Sequence, residues 1–254
     1  MITSNQNSKI KLVRALLGRA KERREANAFV VEGVRLVEEA VKGDWRFETV
    51  LYDESLSERG KSQVSSLKSK GVDIEEISTD LMKSLSETET PQGILAILQF
   101  SEVPINNSLN FVLIPDQIRD PGNLGTLLRT AAATGVQAIL LPPETTDAFA
   151  PKVVRAGMGA HFRLPIREMK WEEIREQTKG MQVFLADMDG KSCWETDHSK
   201  PLALIVGGEA DGASDEARKL STQKISIPMA GNVESLNAGV AGSVLMFEVV
   251  RQRK

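Results

Sequence analysis

Three stretches in the second half of the chain carry residue types that could do chemistry, and each directly follows an apolar run. The first, IPDQIRDPGNLGTLLRTAAATGV (residues 114–136), holds Asn123 and, six positions on, Arg129 in a segment otherwise built of Leu, Thr and Ala. Alone, such an Asn ordinarily caps a helix and such an Arg ordinarily sits on the surface. Together on one helix they suit an anion or a developing alkoxide, because a guanidinium stays charged and offers five N–H donors. The second stretch, LALIVGGEADGAS (residues 202–214), ends a strand in Gly207, Gly208 and Glu209, with Gly212 close behind. It misses the GxGxxG spacing and the lysine of a phosphate loop, and Glu209 would repel a phosphate. A neutral or cationic small ligand fits it better than a nucleotide. The third, ISIPMAGNVESLNAGVAGSVLMFEVVRQ (residues 225–252), runs from a strand through Pro228 into a long helix beginning at Ser235, with Ser235 as its N-cap and Asn237 in its first turn. Ala238, Gly239, Ala241, Gly242 and Ser243 cost helix propensity, which is tolerable where another backbone packs very close.

The elements that must position these residues follow from apolar periodicity. Over the first hundred residues the pattern predicts a helix capped by Asn7 or Ser8 and running to about Arg24, with Ile10, Val13, Leu16, Leu17 and Ala20 on one stripe. A strand at Phe29–Val31, a helix over 33–42, a strand over 47–52, a helix over 58–69, and strands over 72–77 and 93–100 follow. Residues 101–108 are rich in Pro, Asn and Ser and read as a linker. From Leu109 a second alternation starts with the buried-strand run FVLIP. It continues with strands over 138–141, 183–186, 202–206 and 224–227, and with helices over 123–134, 151–158, 171–179, 214–219 and 235–251. Strand–helix repetition of this kind implies a parallel sheet covered on both faces, with ligands at the carboxyl ends of its strands. The reading is therefore an α/β chain with a smaller domain over 1–100 and a parallel-sheet domain over 109–254.

Composition narrows the function classes. With 254 residues, 41% hydrophobic and 26% charged, the chain has material for proper cores and no 20-residue apolar run that would span a membrane. One cysteine, Cys193, and two histidines, His161 and His198, provide neither an internal disulfide nor four zinc ligands, so no metal is expected and a reducing cytoplasm fits. A nucleotide-dependent oxidoreductase lacks its fingerprint loop. Net charge is −3, but residues 1–24 carry Lys9, Lys11, Arg14, Arg19, Lys21, Arg23 and Arg24 against Glu22 alone, a local +6. Such a basic helix either neutralises phosphates of RNA or is a solvated face.

In this order and spacing the three stretches resemble the SpoU, or TrmH, family of RNA ribose 2'-O-methyltransferases within the SPOUT class. Asn123-Leu-Gly125 with Arg129-Thr-Ala is similar to the family's first motif, Val206-Gly207 with Glu209 and Gly212 to its second, and Ile227-Pro-Met229 with Ser235-Leu236-Asn237 to its third. Gly208, Ala210 and Ala238-Gly239 depart from the commoner residues. Phe29-Val-Val-Glu-Gly33 and Thr90-Pro-Gln-Gly93 resemble the family's RNA substrate-binding domain, which accompanies members acting on ribosomal RNA. The resemblance implies a trefoil-knotted methyltransferase domain, S-adenosylmethionine as cofactor, and transfer of its methyl group to a ribose 2'-hydroxyl of RNA, with large-subunit ribosomal RNA as the expected partner. It also implies a homodimer with its active site at the subunit interface, and Leu236, Val240, Val244, Leu245, Phe247 and Val250 give the last helix the apolar surface for one. Arg129 is implied to act on the hydroxyl, with Asn123, Glu209, Ser235 and Asn237 orienting it. Gly207, Ile227, Met229, Leu236 and Leu141 would hold the adenosyl moiety, and Lys9, Lys11, Arg14, Arg19 and Lys21 would touch RNA. The rival reading is a catalytically silent RNA-binding or ribosome-assembly protein that keeps the fold.

Overall fold

The computed structural model describes residues 1–106, 108–209, 212–231 and 235–254, so Asn107 of the linker stretch and Ala210 of the second motif lie outside the described residues. The chain forms two compact units, residues 1–102 with 149–162, and residues 103–148 with 163–254. Among the described residues no helix is long and apolar enough to cross a membrane.

The first unit carries a four-stranded sheet in the order β1-β4-β2-β3, formed by β1 (Ala28–Glu32), β2 (Phe47–Tyr52), β3 (Asp73–Glu76) and β4 (Ile94–Gln99). β4 runs antiparallel to both β1 and β2, whereas β3 is parallel to β2. The basic opening segment is two helices, α1 (Ser8–Gly18) and α2 (Ala20–Ala26), where periodicity predicts one. Arg19 is extended between them (φ −130°, ψ 137°), and the guanidinium of Arg23, only 4% exposed, donates to the Leu16 carbonyl that a continuous helix would have used itself. Asn7 caps α1 by accepting from the Lys9 N–H. Ile10, Val13 and Leu16 are fully buried against Leu95 and Ile97 of the sheet and Leu81 and Met82 of a further helix.

That helix, α5 (Thr79–Leu85), follows α3 (Val34–Lys42) and α4 (Glu58–Ser69) and has no counterpart in the sequence reading, because it is short and begins in a polar run capped by Ser78. Residues 149–162, which sequence order groups with the second half, belong to the first unit and include α7 (Pro151–Gly157). Aromatic packing accounts for this: Phe149 meets Phe29 and Phe100 at ring-centroid distances of 4.9 and 4.6 Å, and Phe162 meets Trp45 at 5.4 Å.

The second unit is a six-stranded sheet in the order β10-β8-β9-β5-β6-β7, with all neighbours parallel. Its strands are β5 (Phe111–Asp116), β6 (Ala138–Leu141), β7 (Ile166–Glu168), β8 (Gln182–Ser192), β9 (Leu202–Gly207) and β10 (Gln223–Ser226). β5 is buried at every position, as a central parallel strand should be. The sheet is covered by α6 (Pro121–Thr134), α8 (Trp171–Gln177), α9 (Asp215–Leu220) and α10 (Ala238–Gln252). Ile174 of α8 and Ala217 of α9 pack on Val112, Ala203 and Ile205, and Val206, one residue on and on the opposite face, meets α10. Two features position a site. β9 inserts between β8 and β5, so the strand order reverses beside β5 and opens a crevice at the carboxyl ends. The β8–β10 register jumps from Lys224↔Leu185 to Ile225↔Lys191, which pushes Ala186–Gly190 out of the ladder. Gly190 permits the return, since a Cβ there would lie 2.5 Å from the Ile225 backbone.

Candidate active site

A cavity of about 590 Å³ opens at these carboxyl ends, walled by the β8 excursion, the end of β9, the residues after β10 and the start of α10. Of the residues expected to bind a cofactor, Gly207, Ile227, Met229 and Leu236 line it. Leu141 does not: it ends β6, on the far side of β5 from β9, and is 3% exposed within the sheet. Asp187 and Met188, which sequence reasoning missed, line the cavity because of the register jump, and the only sequence cue is the polar Asp-Gly pair breaking a strand. Burial raises the Asp187 carboxyl's pKa, but Lys224 at 2.8 Å and the Asp189 N–H outweigh it and hold the group below the usual range.

Three polar residues close one side. Asn123 donates through Nδ2 to Glu209 Oε1 at 2.8 Å, Asn237 donates through Nδ2 to the same oxygen at 2.6 Å and to Asn123 Oδ1 at 2.8 Å, and the Ala238 N–H reaches Glu209 Oε1 at 3.2 Å. Glu209 Oε2 accepts no hydrogen bond among the described residues. The helix caps differ from expectation and leave the Asn123 side chain and the Asn237 Nδ2 to the network. Asp120, not Asn123, caps α6 by accepting from the Asn123 N–H at 2.8 Å, with Pro121 in the first helical turn. Asn237, not Ser235, caps α10 by accepting from the Val240 N–H at 3.2 Å. Ser235 is exposed on the cavity wall.

The glycines of the second motif bring backbones together. A Cβ on Gly207 would lie 2.7 Å from the Ala213 nitrogen, and one on Gly208 would lie 2.5 Å from the Gln117 carbonyl oxygen, so a larger residue would spread the loop itself. Asp116 holds the stem of that loop: its backbone pairs with Gly207, and its fully buried carboxylate accepts the Ser214 N–H through Oδ2 at 2.6 Å. Burial pushes the pKa of this carboxyl up, against the Ser214 bond that favours ionisation. An aspartate ending an otherwise apolar strand was the signal available in the sequence.

Arg129 is exposed on α6 and makes no hydrogen bond or ion pair among the described residues. It lies about 9 Å along the helix from Asn123 and about 120° around it, and it lines none of the cavity. The basic end is mostly committed elsewhere. Lys9 pairs with Asp73 at 2.6 Å and Glu75 at 2.8 Å, Arg14 donates to Asn5 and Ser84, and Lys21 lies 3.6 Å from Glu25. Lys11 and Arg19 remain exposed and without such partners among the described residues. The close packing expected of the small residues in α10 is internal. A Cβ on Gly242 would lie 2.4 Å from Leu127 Cδ2 and 3.1 Å from Val206 Cγ2, and one on Gly239 would lie 3.3 Å from Thr126. Leu245, counted among the surplus apolar residues, is buried on the same side, whereas Val240, Phe247 and the nearby Trp194 are 48%, 53% and 46% exposed.

The chain is similar to known proteins in sequence and in fold. The chain is 33% identical over 251 residues to the 23S rRNA (guanosine(2553)-2'-O)-methyltransferase RlmP of Bacillus subtilis, covering 98% of each. It is 30% identical to the 23S rRNA (uridine(2479)-2'-O)-methyltransferase of Streptomyces viridochromogenes, covering 98% of this chain and 92% of the relative. The crystal structure of an AdoMet-bound rRNA methyltransferase from Sinorhizobium meliloti superposes with a TM-score of 0.86 at 32% identity, over 98% of this chain and 97% of that one. Residues 7–96 match the MRM3-like substrate binding domain, and residues 110–247 match the SpoU rRNA methylase family. With more than half its length inside that match, the chain belongs to the SpoU rRNA methylase family.

Proposed function

We propose that the protein transfers a methyl group from S-adenosylmethionine to a ribose 2'-hydroxyl of large-subunit ribosomal RNA. The observation that carries this is the Asn123–Glu209–Asn237 network, which ties all three motifs together at the rim of one cavity. The cavity fits the cofactor in kind. Its volume is that of a small-molecule site, Gly207 and Gly208 contribute backbone to its wall, Met188, Ile225 and Leu245 supply apolar surface, and Glu209 presents a free carboxylate oxygen to a cationic ligand. S-adenosylmethionine, when bound, supplies an electrophilic methyl group on a sulfonium.

The chain's own residues would do the rest. Arg129, already ionised, would stabilise the oxygen anion that develops at the 2'-hydroxyl or clamp the adjoining phosphate; a guanidinium is too weak a base to remove the proton outright. Asn123, Glu209, Ser235 and Asn237 would orient the ribose and the loops, while Gly207, Ile227, Met229 and Leu236 would hold the adenosyl part. Arg129 lies off the cavity wall of its own chain, and Val240, Phe247 and Trp194 form an exposed apolar face on and beside α10. Both features support a homodimer that completes the site across α10, and the trefoil knot belongs to the same reading. The relatives named above act on a guanosine and on a uridine at nearly equal identity, so the ribose and not the base is the proposed determinant of the class. The test has two arms: calorimetry for S-adenosylmethionine binding, and sequencing-based mapping of 2'-O-methyl groups in ribosomal RNA with and without the gene. Cofactor binding with loss of one ribosomal 2'-O-methyl group supports the proposal. An unchanged methylation map with intact RNA binding would favour the catalytically silent protein.

A further inference from the structure

Two stretches of the first unit, Phe29–Gly33 and Thr90–Gly93, lie some sixty residues apart in the chain, and the fold brings them together. The Gly33 N–H donates to the Ile94 carbonyl at 3.1 Å, and the Val34 N–H donates to Gln92 Oε1 at 2.9 Å. A third loop joins them: the Asp53 N–H donates to the Gly93 carbonyl at 3.1 Å. Both glycines sit at positive φ, +99° and +70°. A Cβ on Gly93 would lie 2.6 Å from Asp53 Oδ1 and 2.7 Å from Ser55 Oγ. Only glycine lets the three loops close to this distance.

Between them opens a cavity of about 400 Å³ lined by Val34, Arg35, Ser55, Ser57, Arg59 and Gln92, with no acidic residue in its wall. Its acceptors are largely used internally. Gln92 Oε1 takes the Val34 N–H, Ser57 Oγ caps α4 through the Gly60 N–H, and Asp53, behind the wall, takes both the N–H and the hydroxyl of Ser55. What remains free is chiefly donors: the Gln92 amide Nε2, the Ser57 hydroxyl hydrogen and the Arg35 guanidinium, beside the Ser55 oxygen, which has given its hydrogen to Asp53 and can still accept. Arg59 is forked onto Glu38. Arg35 is exposed and has no partner among the described residues. A donor-rich cavity with one unpaired cation among the described residues suits an acceptor-rich anionic ligand.

We propose that this cavity takes a single unpaired nucleotide of the RNA substrate, with Arg35 on its phosphate and Gln92 and Ser57 on its sugar or base edge. The inference rests on the RNA reading above and adds the surface that reading lacks. Among the described residues the opening helices offer Lys11 and Arg19 without partners, and Arg14 held only by neutral groups, as cations scattered on an open surface, whereas here three loops are built around the contact. One nucleotide matches the volume, and RNA is read by proteins chiefly where bases are unpaired.

The experiment measures binding of the full-length chain to a transcript of the large-subunit ribosomal RNA across 50–200 mM KCl, for the wild type, Arg35→Ala, Arg35→Lys and the double variant Lys11→Ala/Arg19→Ala. AMP and inorganic phosphate serve as competitors. Arg35→Ala is expected to weaken RNA binding about tenfold at 100 mM salt and to lower the salt slope by about 0.7–0.9, one phosphate contact. Arg35→Lys should restore the slope, and S-adenosylmethionine affinity should not move. An Arg35→Ala protein with wild-type affinity and slope, while the wild type binds the transcript, overturns the cavity assignment and leaves the RNA reading standing. A wild type that binds no ribosomal RNA overturns both. Competition by AMP that Arg35→Ala abolishes, without a change in RNA affinity, reassigns the cavity to a free nucleotide and also overturns the proposal.

Discussion

Replacing Glu209 tests the arrangement most directly, because one oxygen of that side chain holds groups from two helices. Oε1 accepts from Asn123 Nδ2 on α6, Asn237 Nδ2 at the cap of α10 and the Ala238 N–H at 2.8, 2.6 and 3.2 Å. Glu209→Ala leaves all three donors without that acceptor. Hydrogen bonds to a charged group contribute about 1.5–3 kcal/mol each when shielded, but Glu209 is exposed and water takes over much of the loss, so about 2 kcal/mol is expected for the set. In a unit of this size that lowers the melting temperature by about 4–8 °C. If the same geometry is needed in the transition state, it slows single-turnover methyl transfer about thirtyfold. Glu209→Gln keeps an oxygen where Oε1 lies and loses only the charge, so it should fall between the wild type and the alanine variant in both measurements. An alanine variant that melts within 1 °C of the wild type and transfers methyl within about twofold of its rate would refute the network's role.

Other consequences are as specific. Arg129→Ala should lose methyl transfer by about a hundredfold or more while calorimetry finds S-adenosylmethionine affinity unchanged; activity within about tenfold of wild type would remove Arg129 from the chemistry. Gly242→Leu should lower the melting temperature independently of protein concentration, because its side chain would strike Leu127 and Val206 of its own chain at a cost of about 1–3 kcal/mol. Phe247→Asp, on the exposed side of the same helix, should shift sedimentation toward the monomer; a wild type that is monomeric and active at working concentration would end the dimer proposal. The depressed Asp187 pKa contributes stability above the ordinary carboxylate value of 3.8, and this is lost as pH falls through the depressed value. Asp187→Asn should therefore flatten the acid limb of the stability profile below about pH 4, and an unchanged limb would contradict the Lys224 pairing.

Periodicity made the strands legible, because a buried parallel strand such as Phe111–Asp116 is apolar from end to end. It could not show the break at Arg19. The apolar stripe from Ile10 to Ala20 runs straight through it, and the break depends on Arg23 reaching back to the Leu16 carbonyl. The three-residue β7 and the seven-residue α5 are too short to establish a period. At the site, Asn123, Glu209 and Asn237 were marked by resemblance, and what unites them is the insertion of β9 beside β5, which spacing along the chain does not encode. The same strand order puts Leu141 out of reach of the cavity. Lys9 looked like one of several free cations until folding brought Asp73 and Glu75, more than sixty residues away, onto its ammonium group.

The last helix carries two signals that the sequence superimposes. Gly239, Gly242, Met246 and Val249 recur at helical spacing on one side, while Val240, Val244, Phe247 and Arg251 recur on the other. Read together, small residues and surplus apolar residues call for one partner helix. In the structure they separate: the glycines accept α6 and Val206 of the same chain, and this approach sets Asn237 within reach of Asn123. The outer stripe takes no part in that contact, with Val240 and Phe247 about half exposed. A bulky residue on the glycine side therefore cannot report on dimerisation, because it unseats the active-site network of a single chain first. Only substitutions on the outer stripe can, and they should leave the Asn123–Glu209–Asn237 geometry intact.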